Sequence, residues 1–297
     1  MLYNKTMIDL IRKYCRFSNI EVDAENEFVK VYNLIFSNKV IGDKINELVA
    51  EYSSDVKKCL EIVNKIKNLT KDLGVHEYTV NTLIYILMIP SLKKAYDKSN
   101  VPNWIFESSI KDMSYHVNYC KKIKGIYGTF TNWHENFFSM RGYGFGRLQF
   151  IPRTSYSDFT SETISIKKGE PILDVHIPNT GTPLTEEECE LSYKLSAEYF
   201  KDFFGEKPII FHCSSWLLWE RHKEFLKPSS NIVKFLNRYT LVEKGLFNDY
   251  SQLWRIFEVD FNGNVDDLPI NSSLQKAYYD IVKRGEKVGY GTGLFKY

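Results

Sequence analysis

The sequence has few cysteines and none of the cysteine patterns that mark metal-binding or secreted proteins. Only five cysteines occur among 297 residues, namely Cys15, Cys59, Cys120, Cys189 and Cys213. An odd number of scattered cysteines does not form a disulfide framework, and no C-x-x-C pair is present to suggest a structural zinc site. We therefore expect a reducing, cytoplasmic setting, no disulfides and no bound metal.

Long apolar runs are also absent. The longest, from Leu83 to Ile89, is far shorter than the about 20 residues that a membrane-spanning helix needs. The first residues, MLYNKTMIDLIRKYCR, have no apolar core of the signal-peptide type. These absences predict a soluble protein that has no membrane partner.

The chain lacks a bias toward charge of either sign. Its 39 basic and 37 acidic side chains leave a net charge of +2, so there is no basic footprint for a nucleic-acid partner. Apolar residues make up 43% of the chain and include 20 Tyr and 20 Phe, which is enough for a large core. The length suits one large domain or two ordinary ones.

The first 140 residues have the apolar spacing of helices. Ile105, Ile110, Met113 and Val117 fall on one helical face, for example, and similar faces recur upstream. Glycine and proline are scarce in this region, and Pro90 is expected to bend or end a helix. The pattern predicts an all-helical domain over residues 1–140 with six or seven helices.

From residue 141 to residue 297 the pattern changes to short apolar runs alternating with amphipathic segments. A long helix is expected to begin at the capping pair Thr185 and Glu188 and to end at Gly205. The runs that predict strands cover 146–152, 163–168, 171–178, 207–213, 231–242 and 253–261. Further helices are predicted over 214–226 and 272–285, and the glycine-rich GYGTG at 289–293 is either a frayed tail or a turn that lines a pocket. The fold class is α+β: a helical domain followed by a mixed α/β domain.

The segment from Pro171 to Leu217 is the most informative part of the second domain. It forms a β-α-β unit, and such units bind ligands at the carboxyl ends of their strands. His176 lies at the first of these ends, either as a general base or as a buried histidine bonded to a backbone carbonyl. His212, Ser214 and Ser215 lie at the second end, where a serine can contact a ligand or cap the next helix.

Three further patterns have weaker functional interpretations. Cys213 could act as a nucleophile, although a lone cysteine on an apolar strand is more often a small core residue. Asp112 and His116, one helical turn apart, could face a cleft, but a surface pair or a core hydrogen bond is favoured. The glycine-rich stretch 141–146 precedes a strand rather than a helix, so a phosphate-binding loop is not indicated there.

The order and spacing of several segments resemble those of bacterial acyltransferase proteins with a helical N-terminal domain and a GNAT-like C-terminal domain. The segments are GRLQF (146–150), ILDVHIP (172–178), PLT (183–185), FHCSSWLL (211–218), SNIVKFLNRY (230–239) and SLQKAYYDIVKRG followed by GTGLF. The resemblance implies a mixed sheet with 171–177 as its fourth strand and 207–213 as its fifth. These strands would splay apart, acyl-CoA would enter the gap, and an amine would attack the thioester directly.

The resemblance also implies roles for particular residues. His176 or His212 would deprotonate the amine, and Ser215 would protonate the leaving thiolate. The residues expected to bind acyl-CoA are Ile177, Asn179, Thr180, Gly181, Thr182, Ser214 and Arg238. The expected partners are acyl-CoA, as a co-substrate rather than a permanently bound cofactor, and a small-molecule amine.

One segment departs from the family pattern. The residues after the fourth strand, NTGTPLTEEE (179–188), contain a single glycine where a glycine-rich pyrophosphate loop is typical. Glu186, Glu187 and Glu188 suit the helix dipole but repel a pyrophosphate, so charge would have to come from Arg141, Arg147 or Arg238. The alternative is therefore a non-catalytic GNAT-like domain that binds a ligand or partner.

Overall fold

The computed structural model describes residues 2–161 and 163–297. The chain forms two compact units, a helical unit over Met1–Gly144 and a mixed unit over Phe145–Tyr297. The α+β class predicted from the sequence is confirmed: the described elements before residue 143 are helices, and a mixed sheet with helices follows.

The helical unit contains seven α-helices in its described residues. They are α1 (Leu2–Phe17), α2 (Val22–Ser37), α3 (Lys39–Ser54), α4 (Cys59–Thr70), α5 (Glu77–Lys98), α6 (Asn103–Lys124) and α7 (Glu135–Phe138). Helix α5 is the centre of this unit, since α1, α2, α3, α4 and α6 all pack against it. Pro90 lies within α5 and does not end it, because the helix continues to Lys98.

No helix within the described residues is both long enough and apolar enough to cross a bilayer. The longest helices, α5 and α6, have 22 residues each. The apolar side chains of α6 that were predicted to share one face, including Ile105, Ile110 and Met113, are fully buried. Their burial against the rest of the helical unit explains the spacing seen in the sequence.

The mixed unit is built on a six-stranded sheet in the order β1-β2-β5-β6-β8-β7. Strands β5 and β6 are parallel, whereas β2–β5, β6–β8 and β7–β8 are antiparallel pairs. The strands are β1 (Tyr143–Phe145), β2 (Leu148–Thr154), β5 (Pro171–His176), β6 (Ile210–Ser215), β7 (Thr240–Leu246) and β8 (Gly289–Lys296), and a separate hairpin pairs β3 (Phe159–Thr160) with β4 (Ser165–Ile166). The helices are α8 (Glu186–Phe204), α9 (His222–Phe225), α10 (Asn231–Asn237), α11 (Trp254–Phe257) and α12 (Ser273–Lys283).

Helix α8 connects the two parallel strands and has the predicted ends. The Thr185 hydroxyl accepts a hydrogen bond from the Glu188 backbone N–H at 3.3 Å, and Gly205 ends the helix with a φ of +59°. The buried face of α8 packs on the sheet through Tyr193, whose ring centroid lies 4.9 Å from that of Phe211 and 4.8 Å from that of Phe295. This aromatic core fixes β6 and β8 beneath the helix.

Four predictions for the last third of the chain are wrong. Residues 214–226 do not form one helix, because Ser214 and Ser215 end β6 and are followed by the 3-10 turn Trp216–Leu218 and the short helix α9. Residues 231–237 form helix α10 rather than a strand, because the Ser230 hydroxyl caps that helix by accepting from Val233 N–H at 3.3 Å. Residues 254–257 form the short helix α11. The segment 289–293 is neither a tail nor a turn, because it forms the first half of β8 between β6 and β7.

The glycines of β8 are explained by the close approach of neighbouring chain. A Cβ on Gly291 would lie 2.4 Å from the carbonyl oxygen of Leu218, and one on Gly293 would lie 2.7 Å from Cβ of Tyr239. Such distances are far inside van der Waals contact, so a side chain at either position forces the backbone to move. The glycine-rich composition that suggests a turn is here a packing requirement of an inner strand.

Candidate functional site

The pairing of β5 with β6 ends partway along the two strands. Their register pairs Leu173 with Phe211 and Asp174 with His212, and it ends there within the described residues. Further along, β5 remains paired with β2 and β6 remains paired with β8. Because each strand follows a different neighbour, a gap opens between their carboxyl ends.

The last paired position carries a side-chain contact that joins the two strands. His212 Nδ1 lies 2.6 Å from Asp174 Oδ1, and Arg153 Nη2 lies 3.1 Å from the other carboxylate oxygen. His212 is buried, with 1% of its surface exposed, and its ring meets those of Tyr156 and Phe159. The structure therefore positions His212 at the point where the strands separate rather than in the gap beyond it.

A cavity of about 330 Å³ lies at the gap. The residues that line it are Val175, His176, Ile177, Ser214, Ser215, Trp216, Leu217, Phe247, Gln252, Arg255 and Tyr290. One wall comes from the end of β5, and the opposite wall comes from the end of β6 and the 3-10 turn Trp216–Leu218 that follows it. The cavity thus brings together four residues predicted from the sequence: His176, Ile177, Ser214 and Ser215.

His176 contributes the imidazole of this cavity. It is the last residue of β5, it pairs in register with Gln149 of β2, and its side chain is partly exposed. The alternation of strand residues puts His176 on the same face of the sheet as Asp174, two residues earlier. A partly exposed imidazole on a cavity wall can accept a proton from a bound molecule.

Two serines, Ser214 and Ser215, line the cavity on the β6 side. Ser214 Oγ accepts a hydrogen bond from the Thr292 hydroxyl at 3.1 Å, and Ser215 Oγ accepts one from the Leu217 backbone N–H at 3.2 Å. A serine hydroxyl that accepts in this way retains its own hydrogen for donation. The predicted capping role of a serine is confirmed for Ser215, which caps the 3-10 turn.

The 3-10 turn beside the serines is held by a buried histidine. The ring of His222 is fully buried, with Nδ1 3.3 Å from the Leu217 carbonyl oxygen and Nε2 2.9 Å from the Tyr278 hydroxyl. These partners fix the neutral tautomer, since Nδ1–H donates to the carbonyl and Nε2 accepts from the hydroxyl. Burial lowers the pKa of His222 from 6.5 to about 4, although the Leu217 carbonyl opposes this shift.

We expect the mixed unit to lose stability in mild acid because His222 is buried in its neutral form. The pKa is lower in the folded protein than in the unfolded chain, so the stabilisation is complete above pH 6.5 and is lost as the pH falls toward 4. The shift corresponds to about 3 kcal/mol in the free energy of unfolding. Urea unfolding at pH 7, 5.5 and 4.5 measures the slope of the free energy of unfolding against pH. A His222→Gln variant with an unchanged slope would contradict this assignment.

The loop between β5 and α8 carries the other predicted binding residues. The Asn179 side-chain oxygen accepts from the Gly181 N–H at 3.2 Å, and the Thr180 hydroxyl accepts from the Thr182 N–H at 3.3 Å. These residues do not line the described cavity. Arg147 supports the loop, with Nη1 donating to the Pro178 carbonyl oxygen at 3.0 Å.

Arg238 lies beside the start of α8, outside the described cavity. Its guanidinium is 2.5 Å from a carboxylate oxygen of Glu190 and stacks over the rings of Tyr193 and Phe295. Nearby, Lys234 Nζ lies 3.3 Å from the Glu186 carboxylate. The acidic start of α8 is therefore partly neutralised by two cations of the mixed unit.

Cys213 does not line the described cavity and is fully buried. Burial raises the pKa of its thiol well above the usual value, and the negative charge of Asp174 adds to the effect. The thiol is therefore protonated at neutral pH, and the thiolate that a nucleophile requires is disfavoured. The environment is that of a small core residue.

If the chain catalyses acyl transfer, a Cys213→Ala variant should do so at the wild-type rate, because the thiol is protonated and does not line the cavity. The loss of the buried sulfur should lower the free energy of unfolding by about 1 kcal/mol. Steady-state kinetics at a temperature well below the melting transition separates the two effects. A variant that is folded but inactive would indicate a covalent acyl-enzyme through Cys213.

Six cavity residues were not predicted as site residues, namely Val175, Trp216, Leu217, Phe247, Gln252 and Arg255, whereas Tyr290 belongs to the segment 289–293, for which lining a pocket was one of the two alternatives. Arg255 is exposed, its Nε donates to the Gln252 side-chain oxygen at 2.8 Å, and it stacks on Trp254. The local pattern at 253–261 resembled a strand, and the pattern at 289–293 resembled a turn. No local signal in the sequence assigns these residues to a site, because they reach the cavity only through the packing of separate elements.

A mixed sheet that separates between two parallel strands, with a cavity at the separation, defines a GNAT-like domain. Residues 143–295 match the GNAT-like C-terminal domain family, and residues 9–140 match the N-acyltransferase N-terminal domain family. The chain therefore belongs to the proteins that combine these two domains. The resemblance stated from the sequence is confirmed.

Solved structures of acyltransferases have the same fold. One, in complex with decanoyl-CoA and teicoplanin, is 24% identical with a TM-score of 0.64, and the match covers 75% of this chain and 68% of that chain. An acyltransferase mutant in complex with octanoyl-CoA is 19% identical with a TM-score of 0.74, and the match covers 97% and 88% of the two chains. A comparison with curated protein sequences finds no significant match.

Proposed function

We propose that this protein transfers an acyl group from acyl-CoA to the amine of a small molecule, in the cavity between β5 and β6. The observation that carries the proposal is the cavity itself, which has an imidazole, His176, on one wall and two hydroxyls, Ser214 and Ser215, on the other. These are the groups that direct attack of an amine on a thioester requires. The membership of a family with an N-acyltransferase domain supports this chemistry.

The reaction needs two proton transfers. The amine nitrogen attacks the thioester carbonyl carbon, the new C–N bond forms, and His176 accepts the proton that the nitrogen loses. As the C–S bond breaks, the CoA thiolate receives a proton through the Ser215 hydroxyl, and the proton held by His176 returns to Ser215 through solvent, so both groups end the cycle as they began. The products are an amide and CoA with a free thiol, so no further reactant is needed.

The separated strands supply hydrogen-bonding groups for acyl-CoA, the acyl donor. Beyond Asp174 and His212, the inner edges of β5 and β6 are not paired with each other in the described register, so their backbone groups can bond the amides of a pantetheine arm. Trp216, Leu217 and Phe247 form an apolar wall suited to an acyl chain.

The phosphate groups of acyl-CoA require cationic side chains to bind them. Arg255 lines the cavity and is exposed, and Arg147 supports the loop that follows β5. Since this loop has one glycine and its Gly181 and Thr182 N–H groups already bond to side chains, we assign phosphate recognition to these arginines rather than to the loop backbone.

The related acyltransferases bind donors with long acyl chains, decanoyl-CoA and octanoyl-CoA, and one of them binds teicoplanin as well. We propose a donor of the same chemical type for this chain. The acceptor is proposed only as a small molecule that bears an amine.

Isothermal titration calorimetry with CoA, acetyl-CoA and octanoyl-CoA tests the donor site. We expect saturable binding of all three, with octanoyl-CoA bound more tightly because its chain reaches the apolar wall. The variant Arg255→Ala should weaken the binding of all three donors to a similar extent, whereas Lys194→Ala, on the exposed side of α8, should not. The absence of heat and of thermal shift with every donor would contradict the proposal.

The second candidate function is a non-catalytic GNAT-like domain that binds a ligand. It is favoured by the loop at 179–182, where backbone N–H groups that could bind a pyrophosphate are bonded to Asn179 and Thr180 instead. Release of free thiol from acyl-CoA in the presence of an amine library decides between the two. Turnover above that of a His176→Ala variant eliminates the non-catalytic alternative.

A further inference from the structure

The helical unit contains a cluster of three buried titratable residues that the proposed acyl transfer does not use. Asp112 and His116 lie one turn apart on α6, and His134 lies immediately before α7. All three are buried, with exposed fractions of 1%, 4% and 0%. The structure thus excludes the surface pair that Asp112 and His116 could have formed, and it adds a third member, His134, that the sequence did not indicate.

The two histidines converge on one carboxylate oxygen. His116 Nε2 lies 3.2 Å from Asp112 Oδ2, and His134 Nε2 lies 3.3 Å from the same atom. Charge-assisted hydrogen bonds between such groups are shorter, at about 2.7–2.9 Å. In contrast, ligand atoms that surround a zinc ion tetrahedrally at about 2.0–2.1 Å lie about 3.3 Å from one another. The observed separations match those of metal ligands.

His134 lacks the partners that a buried histidine usually has. Neither of its ring nitrogens has a partner with hydrogen-bond geometry among the described residues, although the ring is fully buried. A neutral imidazole has one nitrogen lone pair, which a metal ion can bind.

His116 has the second contact that metal-binding histidines require. Its Nδ1 lies 3.1 Å from the Thr131 hydroxyl and 3.1 Å from the Tyr119 hydroxyl. When Nδ1–H donates to one of these oxygens, the lone pair of the ring is on Nε2, the atom nearest to Asp112. Such bonds to the far nitrogen fix the tautomer and orientation of metal-bound histidines.

We propose that Asp112 Oδ2, His116 Nε2 and His134 Nε2 bind one divalent transition-metal ion of the zinc type. The ligand atoms of the three side chains all lie within 4.8 Å of one another. One carboxylate and two imidazoles are ligands that zinc accepts, and no cysteine is required. The absence of C-x-x-C pairs therefore does not exclude a metal in this chain.

The ion has a structural role in the helical unit. Two ligands come from α6 and the third from the segment that precedes α7, so the ion joins that segment to the helix. The side chains are too buried to admit a large substrate, which distinguishes this site from the acyl-transfer cavity of the mixed unit. Loss of the ion should lower stability and leave the chemistry of that cavity unchanged.

Metal analysis of the full-length protein, purified without a histidine tag, tests the site. We expect about one zinc ion per chain by inductively coupled plasma mass spectrometry. Removal of the ion with a chelator should lower the melting temperature, and Zn²⁺ should restore it. Cobalt reconstitution should give the intense visible absorption of a tetrahedral Co²⁺ site in the wild-type chain, a readout that does not depend on any variant.

Two variants locate the ion. Asp112→Asn and His134→Gln should each remove the bound zinc and the cobalt absorption, whereas His76→Gln, which changes an exposed histidine of the same unit, should leave both intact. A wild-type protein without stoichiometric metal, whose melting temperature does not respond to Zn²⁺ or Co²⁺, would overturn the proposal. Metal retained by both cluster variants would also overturn it.

Discussion

Replacing His176 with alanine is expected to lower kcat/KM for acyl transfer by about 10²–10⁴-fold, the usual contribution of a general base. His176 is the imidazole that lines the cavity, and its position at the end of β5 lets it meet an amine that attacks from between the strands. Steady-state kinetics with octanoyl-CoA and the best acceptor from an amine library measures the loss. Because the ring is partly exposed, the melting temperature should change little.

The pattern of the kinetic loss identifies the role. A base acts in the transition state, so kcat should fall and the binding of acyl-CoA by calorimetry should be unchanged. His76→Ala, which removes an exposed histidine of the helical unit, serves as the control and should keep full activity. If His176→Ala turned over at the wild-type rate, the base would have to be another group of the cavity or bound water.

Introducing a single methyl group at Gly291 is expected to destabilise the mixed unit by about 3 kcal/mol. Gly291 lies in β8, an inner strand, and a Cβ there would lie 2.4 Å from the backbone carbonyl oxygen of Leu218. That oxygen cannot rotate away as a flexible side chain can, so the strand or the 3-10 turn must move. Urea unfolding of Gly291→Ala, followed by circular dichroism, measures the loss.

A second glycine provides the matched control. Gly125→Ala makes the same chemical change at the end of α6, where the backbone is in the left-handed region with φ of +72° and a Cβ would have nothing within 4 Å. Only the backbone conformation is unfavourable there, at a cost of about 1 kcal/mol. Equal decreases in the free energy of unfolding for the two variants would mean that the backbone around Gly291 moves without an energetic cost.

The Gly291→Ala substitution should also affect the cavity. Leu218 ends the 3-10 turn that begins at Trp216, and Trp216 and Leu217 line the cavity wall. A displaced turn should therefore weaken the binding of acyl-CoA in Gly291→Ala, even at temperatures where the protein remains folded. Calorimetry at low temperature checks this link between strand packing and ligand binding.

The elements that the sequence predicted well are those defined by local signals. The start of α8 follows from Thr185 and Glu188, its end follows from Gly205, and the two parallel strands follow from short apolar runs on either side. The helical unit follows from apolar spacing of the kind seen at Ile105 and Ile110, because residues three to four positions apart share a helical face.

The errors occur where local patterns are ambiguous. Residues 231–237 alternate in a way that suits a strand or a helix, and the cap at Ser230 selects the helix. The segment 289–293 contains glycines that suit a turn, but they are needed because Leu218 and Tyr239 approach the strand closely. Neither neighbour is near this segment in the sequence, so no local pattern reveals the contact.

The sequence by itself determined the helical unit, the β5–α8–β6 unit, the two-domain organisation of the family and the position of His176 and the serines at strand ends. Those features depend on side-chain period, capping and turn chemistry, which act over a few residues. Only the tertiary structure decided that β5 and β6 separate after Asp174 and His212, and that Arg255 joins the cavity. It also brought His134 to Asp112 and His116, because contacts between residues distant along the chain depend on how whole elements pack.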